Sequence, residues 1–193
     1  MKEIRFIQSI NEALDEEMAR DTSVFIIGED IGEHWGGPFG EFRGLAEKYG
    51  TKRIRETPIS ETAILGCAIG AAATGMRPVA AMMFVDFLGV SGDELLNQLQ
   101  MRYMFGGKIK LPLTIMANIG AGRSSATQHS KSLYGWLMNI KGLKIVSPSN
   151  PCDAKGLLKS AIREDNPVVF LTHKVLGGIM GQIPEGEYTI PIG

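Results

Sequence analysis

Six short runs of strand character, each separated from the next by a helical pattern, constrain this chain more than any other feature. They are Val24–Ile27, Arg53–Glu56, Pro78–Val85, Pro112–Ile119, Leu143–Val146 and Val168–Thr172. The first is apolar without alternation, as a strand covered on both faces must be. Helical patterns fall between them at Glu41–Tyr49, Glu61–Gly75, Ser91–Phe105, Ser130–Ile140 and Asp153–Glu164, and Gly106-Gly107 supplies a stop after Phe105. An amphipathic helix precedes them all, with Phe6, Ile7, Ile10, Leu14 and Met18 on one face and Glu12, Glu16 and Glu17 opposite or flanking. This alternation predicts an α/β domain, a doubly wound, mainly parallel sheet flanked by helices. A chain of 193 residues with 44% hydrophobic content is large enough to bury one such core. After Lys174 the pattern dissolves into Gly177-Gly178, Pro184-Glu185-Gly186 and Pro191. The expected organisation is therefore a domain over residues 1–174 and an extended tail or linker over 175–193.

Composition removes several function classes. The formal net charge is −1 and the basic residues are scattered, so no nucleic-acid footprint is expected. The two cysteines, Cys67 and Cys152, have neither ligand-like spacing nor secretory context and read as free thiols in a reducing compartment. Met1-Lys2-Glu3-Ile4-Arg5 lacks the apolar core of a signal peptide, and the longest apolar run, Ala63–Met76, is too short to span a bilayer. The expectation is a cytoplasmic protein with no membrane contact.

Within that frame Glu61 stands out. It opens the helical run Thr-Ala-Ile-Leu-Gly-Cys-Ala-Ile-Gly-Ala-Ala-Ala, in which no cation occurs before Arg77. An ionised carboxylate without a partner is costly to bury, so this group must reach water, shift its pKa or bond to something outside its own segment. The ordinary alternative is that Ser60 caps the helix and Glu61 complements its dipole. In a parallel sheet, ligands meet the carboxyl ends of the strands. Glu29, Glu61, Phe87 and the loop holding His129 all follow predicted strands at that edge, and this convergence favours a functional role.

Other motifs carry less. Gly120-Ala121-Gly122 follows a strand, but Ser125 replaces the third glycine of a dinucleotide fingerprint and no helix opens at once. Gly106-Gly107-Lys108 lacks the hydroxyl residue and upstream glycine of a P-loop. His34, beside Trp35 in a glycine-rich loop, fits a site wall or a plain surface equally, and His173 after a strand fits structural packing. Histidine and cysteine spacing makes no metal site, and no nucleophile elbow appears.

Thr57-Pro58-Ile59-Ser60-Glu61, Met83-Phe84-Val85-Asp86-Phe87, Arg102-Tyr103-Met104-Phe105-Gly106-Gly107, Gln128-His129-Ser130, Gly142-Leu143-Lys144-Ile145-Val146 and Asp153-Ala154-Lys155-Gly156-Leu157 occur in this order. The series, from about Val24 to Lys174, resembles the β chain of the thiamine-diphosphate-dependent component of 2-oxoacid and acetoin dehydrogenase complexes. The matching part is the pyrimidine-binding domain of the transketolase-like superfamily. The resemblance implies that Glu61 bonds the ring nitrogen of the cofactor's aminopyrimidine, that Met83 and Phe87 pack on that ring, and that Glu29 lies in the same cleft. It implies that His129 assists proton transfer or the lipoyl step near the reacting carbon. Some members bind potassium at positions matching Leu113, Ala161, Ile162, Glu164 and Asn166, with aspartate frequent where Glu164 stands. Lys131 occupies a position where glutamine is usual, and Arg123-Ser124-Ser125 replaces a loop usually richer in glycine.

In the family, magnesium and the diphosphate are held by a Gly-Asp-Gly motif on an α chain, and this sequence has no Gly-Asp-Gly. The implied protein is thus half of a shared site. It would need an α chain, β-chain self-association in an assembly of two α and two β chains, a lipoyl-bearing acyltransferase core, and a C-terminal domain beyond the tail. Acetoin dehydrogenase is the better match, then pyruvate, then branched-chain 2-oxo acids. The rivals are a split transketolase half and a non-catalytic assembly domain of the same fold.

Overall fold

A computed structural model describes residues 1–193. In chain order the elements are β1 (Lys2–Arg5), α1 (Phe6–Arg20), β2 (Val24–Gly28), α2 (Leu45–Tyr49), β3 (Ile54–Glu56), α3 (Glu61–Ala73) and β4 (Arg77–Phe84). A 3₁₀ turn at Val85–Gly89 leads to α4 (Gly92–Leu96), a second 3₁₀ turn at Gln98–Gln100, α5 (Met101–Met104) and β5 (Thr114–Ile119). A third 3₁₀ turn at Thr127–His129 precedes α6 (Tyr134–Leu137), β6 (Lys144–Val146), α7 (Pro151–Arg163), β7 (Val168–His173) and β8 (Met180–Ile183).

Six strands form one parallel sheet in the order β3-β2-β4-β5-β7-β6. Every residue of β2 and β5 is buried, so these strands are covered on both faces. Alternate side chains feed two separate cores. Val24, Ile26, Val79, Met116 and Phe170 pack with Ile10, Leu14 and Met18 of α1 and Leu158 and Ile162 of α7. Phe25, Ile27, Ala80, Ile115 and Val169 pack with Ile64, Leu65, Ala68 and Ile69 of α3 on the other face. Fully burying each such aliphatic side chain stabilises the fold by roughly 1.5–3 kcal/mol. The doubly wound parallel sheet expected from the sequence is the fold observed.

Local chemistry explains where the elements differ from the sequence expectation. α7 begins at Pro151 rather than Asp153, because Asn150 accepts the Asp153 amide at 2.9 Å as N-cap and Pro151 suits the first turn. The segment Ser91–Phe105 is not one helix. The Asp93 carboxylate accepts from the Asn97 and Gln98 side chains, and the run breaks there into three short pieces. It does stop where expected, with Gly106 and Gly107 at φ 66° and 73°. The helix expected over Ser130–Ile140 shrinks to Tyr134–Leu137, since Ser130 Oγ donates to the Ala126 carbonyl and Lys131 is held by Asp86.

The segment after Lys174 is docked on the domain. β8 pairs antiparallel with β1, Lys2 opposite Ile183. Beyond it, Glu187 bonds Lys159 and Arg163, Tyr188 donates to the Cys152 carbonyl at 3.1 Å, and the Ile190 amide donates to the Gly156 carbonyl at 3.2 Å.

Candidate active site

In the sheet, the chain leaves β2 outward to β3 but leaves β4 inward to β5. The connections therefore diverge at the carboxyl ends of β2 and β4, where an open α/β sheet has its natural crevice. Glu29 is the first residue beyond β2. Met83 is the last residue but one of β4, and Phe87 lies in the 3₁₀ turn that follows. α3, crossing back from β3, brings Glu61 as its first residue to the same edge. His129 closes the 3₁₀ turn beyond β5.

The two acids form an unneutralised pair. Glu29 Oε2 is buried and has no hydrogen-bond partner. Burial holds the Glu29 carboxyl above the usual glutamate range, and the charges of Glu61 and Asp30 push it further the same way. Glu61 is half-buried at the helix start. Ser60 gives no side-chain cap; its hydroxyl donates to the Pro58 carbonyl at 3.3 Å, so the capping account of this segment loses its capping residue. Thr62 Oγ1 donates to the Val90 carbonyl at 3.1 Å and ties the start of α3 to the turn that carries Phe87.

The apolar side of the crevice is aromatic. The His129 ring stands edge-on to Phe84 with centroids 4.8 Å apart and to Phe87 at 5.2 Å. Phe84 and Phe87 meet at 6.1 Å, and Phe39 reaches Phe84 at 6.2 Å. Lys174, 2% exposed, donates its ammonium to the His129 carbonyl and lies 5.9 Å from the Phe84 ring centre. Lys131 pairs with Asp86 at 3.0 Å, joining the histidine turn to the phenylalanine turn. The aromatic wall is thus assembled from the end of β4 and from three separate loops and turns.

The structure brings Glu29 and Glu61 into electrostatic contact, puts Phe87 on His129, and places Met83 beside Phe84 at the same edge. Sequence reasoning missed Phe39, Phe84 and Lys174 as parts of this wall. No periodicity marks Phe39 in its glycine-rich loop, and a lysine after a strand ordinarily points to water. His34 is exposed, and His173 packs on Gly120.

The potassium expectation meets an obstacle. Leu113, Ala161, Ile162, Glu164 and Asn166 gather at the opposite edge of the sheet, where oxygens of the first four already accept hydrogen bonds. The Leu113 carbonyl accepts the Val168 amide at 2.9 Å, and the Ala161 carbonyl accepts the Glu164 amide at 3.3 Å. Arg77 donates to the Ile162 and Glu164 carbonyls, both at 3.1 Å. Lys144 occupies the Glu164 carboxylate at 2.5 Å, and the Asn166 amide donates to its other oxygen at 2.8 Å. Two protein cations, Arg77 and Lys144, already neutralise this cluster, so a potassium ion would compete with them. No group of three or more His, Cys, Asp or Glu side chains is arranged to hold a metal. No helix is long and apolar enough to cross a membrane.

Known proteins agree with this architecture. A profile described as "Transketolase, pyrimidine binding domain" matches residues 2–178. The chain belongs to that family. It is 52% identical over 195 residues to the acetoin:2,6-dichlorophenolindophenol oxidoreductase subunit beta of Cupriavidus necator, covering 96% of this chain and 57% of the relative. It is 46% identical over 202 residues to the same-named subunit of Bacillus subtilis, covering 98% and 59%. The pyruvate dehydrogenase E1 component subunit beta of Gracilaria tenuistipitata var. liui is 44% identical over 193 residues, covering 100% and 59%. The chain therefore spans little more than half the length of these curated relatives. A solved split-gene transketolase, described as an inactive beta4 tetramer, superposes with a TM-score of 0.73 at 17% identity, over 97% of this chain and 56% of that one; this similarity is one of fold.

Proposed function

We propose that this chain is the pyrimidine-holding part of the β subunit of a thiamine-diphosphate-dependent dehydrogenase, of acetoin or pyruvate type. The observation that carries it is the pair of acids at the β2–β4 crevice, one with an orphaned buried oxygen, facing an aromatic wall that ends in a histidine. An aminopyrimidine fits this arrangement: it is a flat ring with polar nitrogens, and the crevice offers carboxylates on one side and Met83 and Phe87 on the other. When bound, thiamine diphosphate supplies a carbon nucleophile for the carbonyl of a 2-oxo acid or acetoin.

Glu61 holds a proton at the ring nitrogen, as an acceptor without a competing cation can. Glu29, whose burial beside Glu61 and Asp30 favours the protonated form, can add a donor to the same cleft. His129, packed at near right angles against two phenylalanines, brings an imidazole able to move a proton near the reacting carbon. An α chain supplies magnesium and the diphosphate site, and a lipoyl-bearing acyltransferase core takes the acyl or aldehyde fragment. β chains associate with one another in the same assembly, in the cytoplasm. Acetoin is placed before pyruvate because the relatives at 52% and 46% identity bear acetoin names.

Calorimetry tests the shared site. The chain alone is expected to bind thiamine diphosphate weakly, and an added α chain with magnesium to restore tight binding. Tight binding by the isolated chain would refute the division. In the assembled enzyme, Glu61→Gln keeps the shape and removes the strong acceptor. Turnover should fall by roughly 10²–10⁴-fold with assembly intact; normal turnover beside a normal elution volume would return Glu61 to a helix-end role.

A further inference from the structure

Three polar residues that the proposed chemistry does not use meet behind Met83. Between Ala81 and Phe84 the register of β4 on β5 slips, and Met83 takes φ 45°, the left-handed region that side-chain-bearing residues avoid. Such a backbone persists only where its surroundings hold it. Asn118 of β5 lies level with Phe84 on one side and Thr172 on the other. Its Nδ2 donates to the Met83 carbonyl at 2.7 Å, and Thr172 Oγ1 donates to its Oδ1 at 2.7 Å, which fixes the amide's orientation.

The same amide faces the Glu41 carboxylate. Glu41 is 5% exposed, and the neutral backbone amide of Phe39 donates to its carboxylate at 2.9 Å. Burial raises its pKa, as expected for a carboxylate without a cation. The glycine-rich loop is shaped around this group: a Cβ on Gly37 would stand 2.8 Å from Glu41 Oε2. Buried polar side chains are costly unless they are satisfied, and a linked set of them specifies one arrangement.

We propose that Glu41, Asn118 and Thr172 are positioning residues that lock the Met83 kink and so set the apolar floor of the crevice. The inference rests on the proposed function only for the identity of what lies on Met83.

The test combines two measurements on the chain assembled with its α chain: hydrogen–deuterium exchange across residues 81–87, and titration with thiamine diphosphate and magnesium. Asn118→Leu removes the amide at similar size. Exchange around Met83 should quicken and the apparent Kd rise, each by roughly tenfold, the effect of losing one net hydrogen bond. Glu41→Leu, which removes the carboxylate that the Asn118 amide faces, should follow Asn118→Leu. Unchanged exchange and affinity in a folded Asn118→Leu assembly would overturn the proposal. Should that variant fail to fold, Thr172→Val, which removes a single hydroxyl from the set, decides by the same two measurements. If the wild-type assembly binds no thiamine diphosphate, the functional proposal fails, and the exchange comparison still decides whether the network holds Met83.

Discussion

Glu29 is an acid whose proton the fold helps to retain. Its carboxyl is held up first by burial and then by the charges of Glu61 and Asp30. Below about pH 4, near the ordinary glutamate value, folded and unfolded chains both hold this proton and the group is neutral in the balance. As pH rises past that value the unfolded chain releases the proton first, so stability falls through the window up to the raised folded pKa. Glu29→Gln should therefore make the chain more stable than wild type at neutral pH, with the difference vanishing in acid. Thermal melts of the two proteins across that range check it, and a variant less stable at pH 7 would contradict the orphaned-oxygen account. Glu187 and Asp165 run the other way. Hydrogen bonds from Lys159 and Arg163 depress the first, and those from Lys110 and Arg77 the second. Their contribution is present above the unfolded carboxylate range and is lost as pH falls through their lowered pKa values. Both groups stand largely in solvent, so screening keeps each share small.

Among the elements, the docking of the tail on α7 is the contact most open to a single substitution. A Cβ on Gly156 would stand 2.6 Å from Ile190 Cγ1 and 2.9 Å from Tyr188 Cε2. Gly156→Ala should cost about 1–3 kcal/mol as an overpacked contact, less whatever the helix gains from alanine. The expected signature is that cleavage by a protease begins at residues 184–193 while the core stays resistant; an unchanged digestion pattern would mean the tail gives way without lifting. This docking also marks the limit of what the sequence made legible. All six sheet strands, α1, α3 and α7 could be read, because long apolar runs and a persistent helical period signal burial on their own. β1 and β8 could not. Each is four residues long with a single buried residue, and neither has a reason to be a strand until the other lies beside it. The same holds for the candidate site. Glu61 and His129 could be picked out by their position after predicted strands. Lys174 could not, because only the aromatic wall and the His129 carbonyl make a buried ammonium tolerable there.

At the scale of the whole molecule, α3 presents two unlike faces. One buries Ile64, Leu65, Ala68 and Ile69 in the core; the other exposes Thr62, Ala63, Cys67 and Gly70. A Cβ on Gly70 would meet nothing within 4 Å, and one on Gly66 only Glu94 at 4.0 Å, so packing inside this domain does not demand these two glycines. Leu96, Met104 and Phe105 are also exposed, at 47%, 72% and 59%. A bare helix face admits another backbone closely, and we expect it to be part of the association surface with other chains. Gly70→Ala should stabilise the separate chain by about 0.5–1 kcal/mol through helix propensity. Gly70→Gln should leave the fold intact and shift sedimentation toward the monomer; unchanged assembly would place the contact elsewhere. A different consequence follows from the seated tail. Lys159 has no exposed side-chain surface and bonds Glu16 at 2.6 Å and Glu187 at 2.5 Å. An amine-reactive reagent can reach that nitrogen only in the intervals when the tail has lifted. Followed by mass spectrometry, its acylation should lag far behind that of Lys110, 74% exposed in its side chain. The lag would time how long the last ten residues stay down, so one lysine serves as a clock for the chain's exit from the domain.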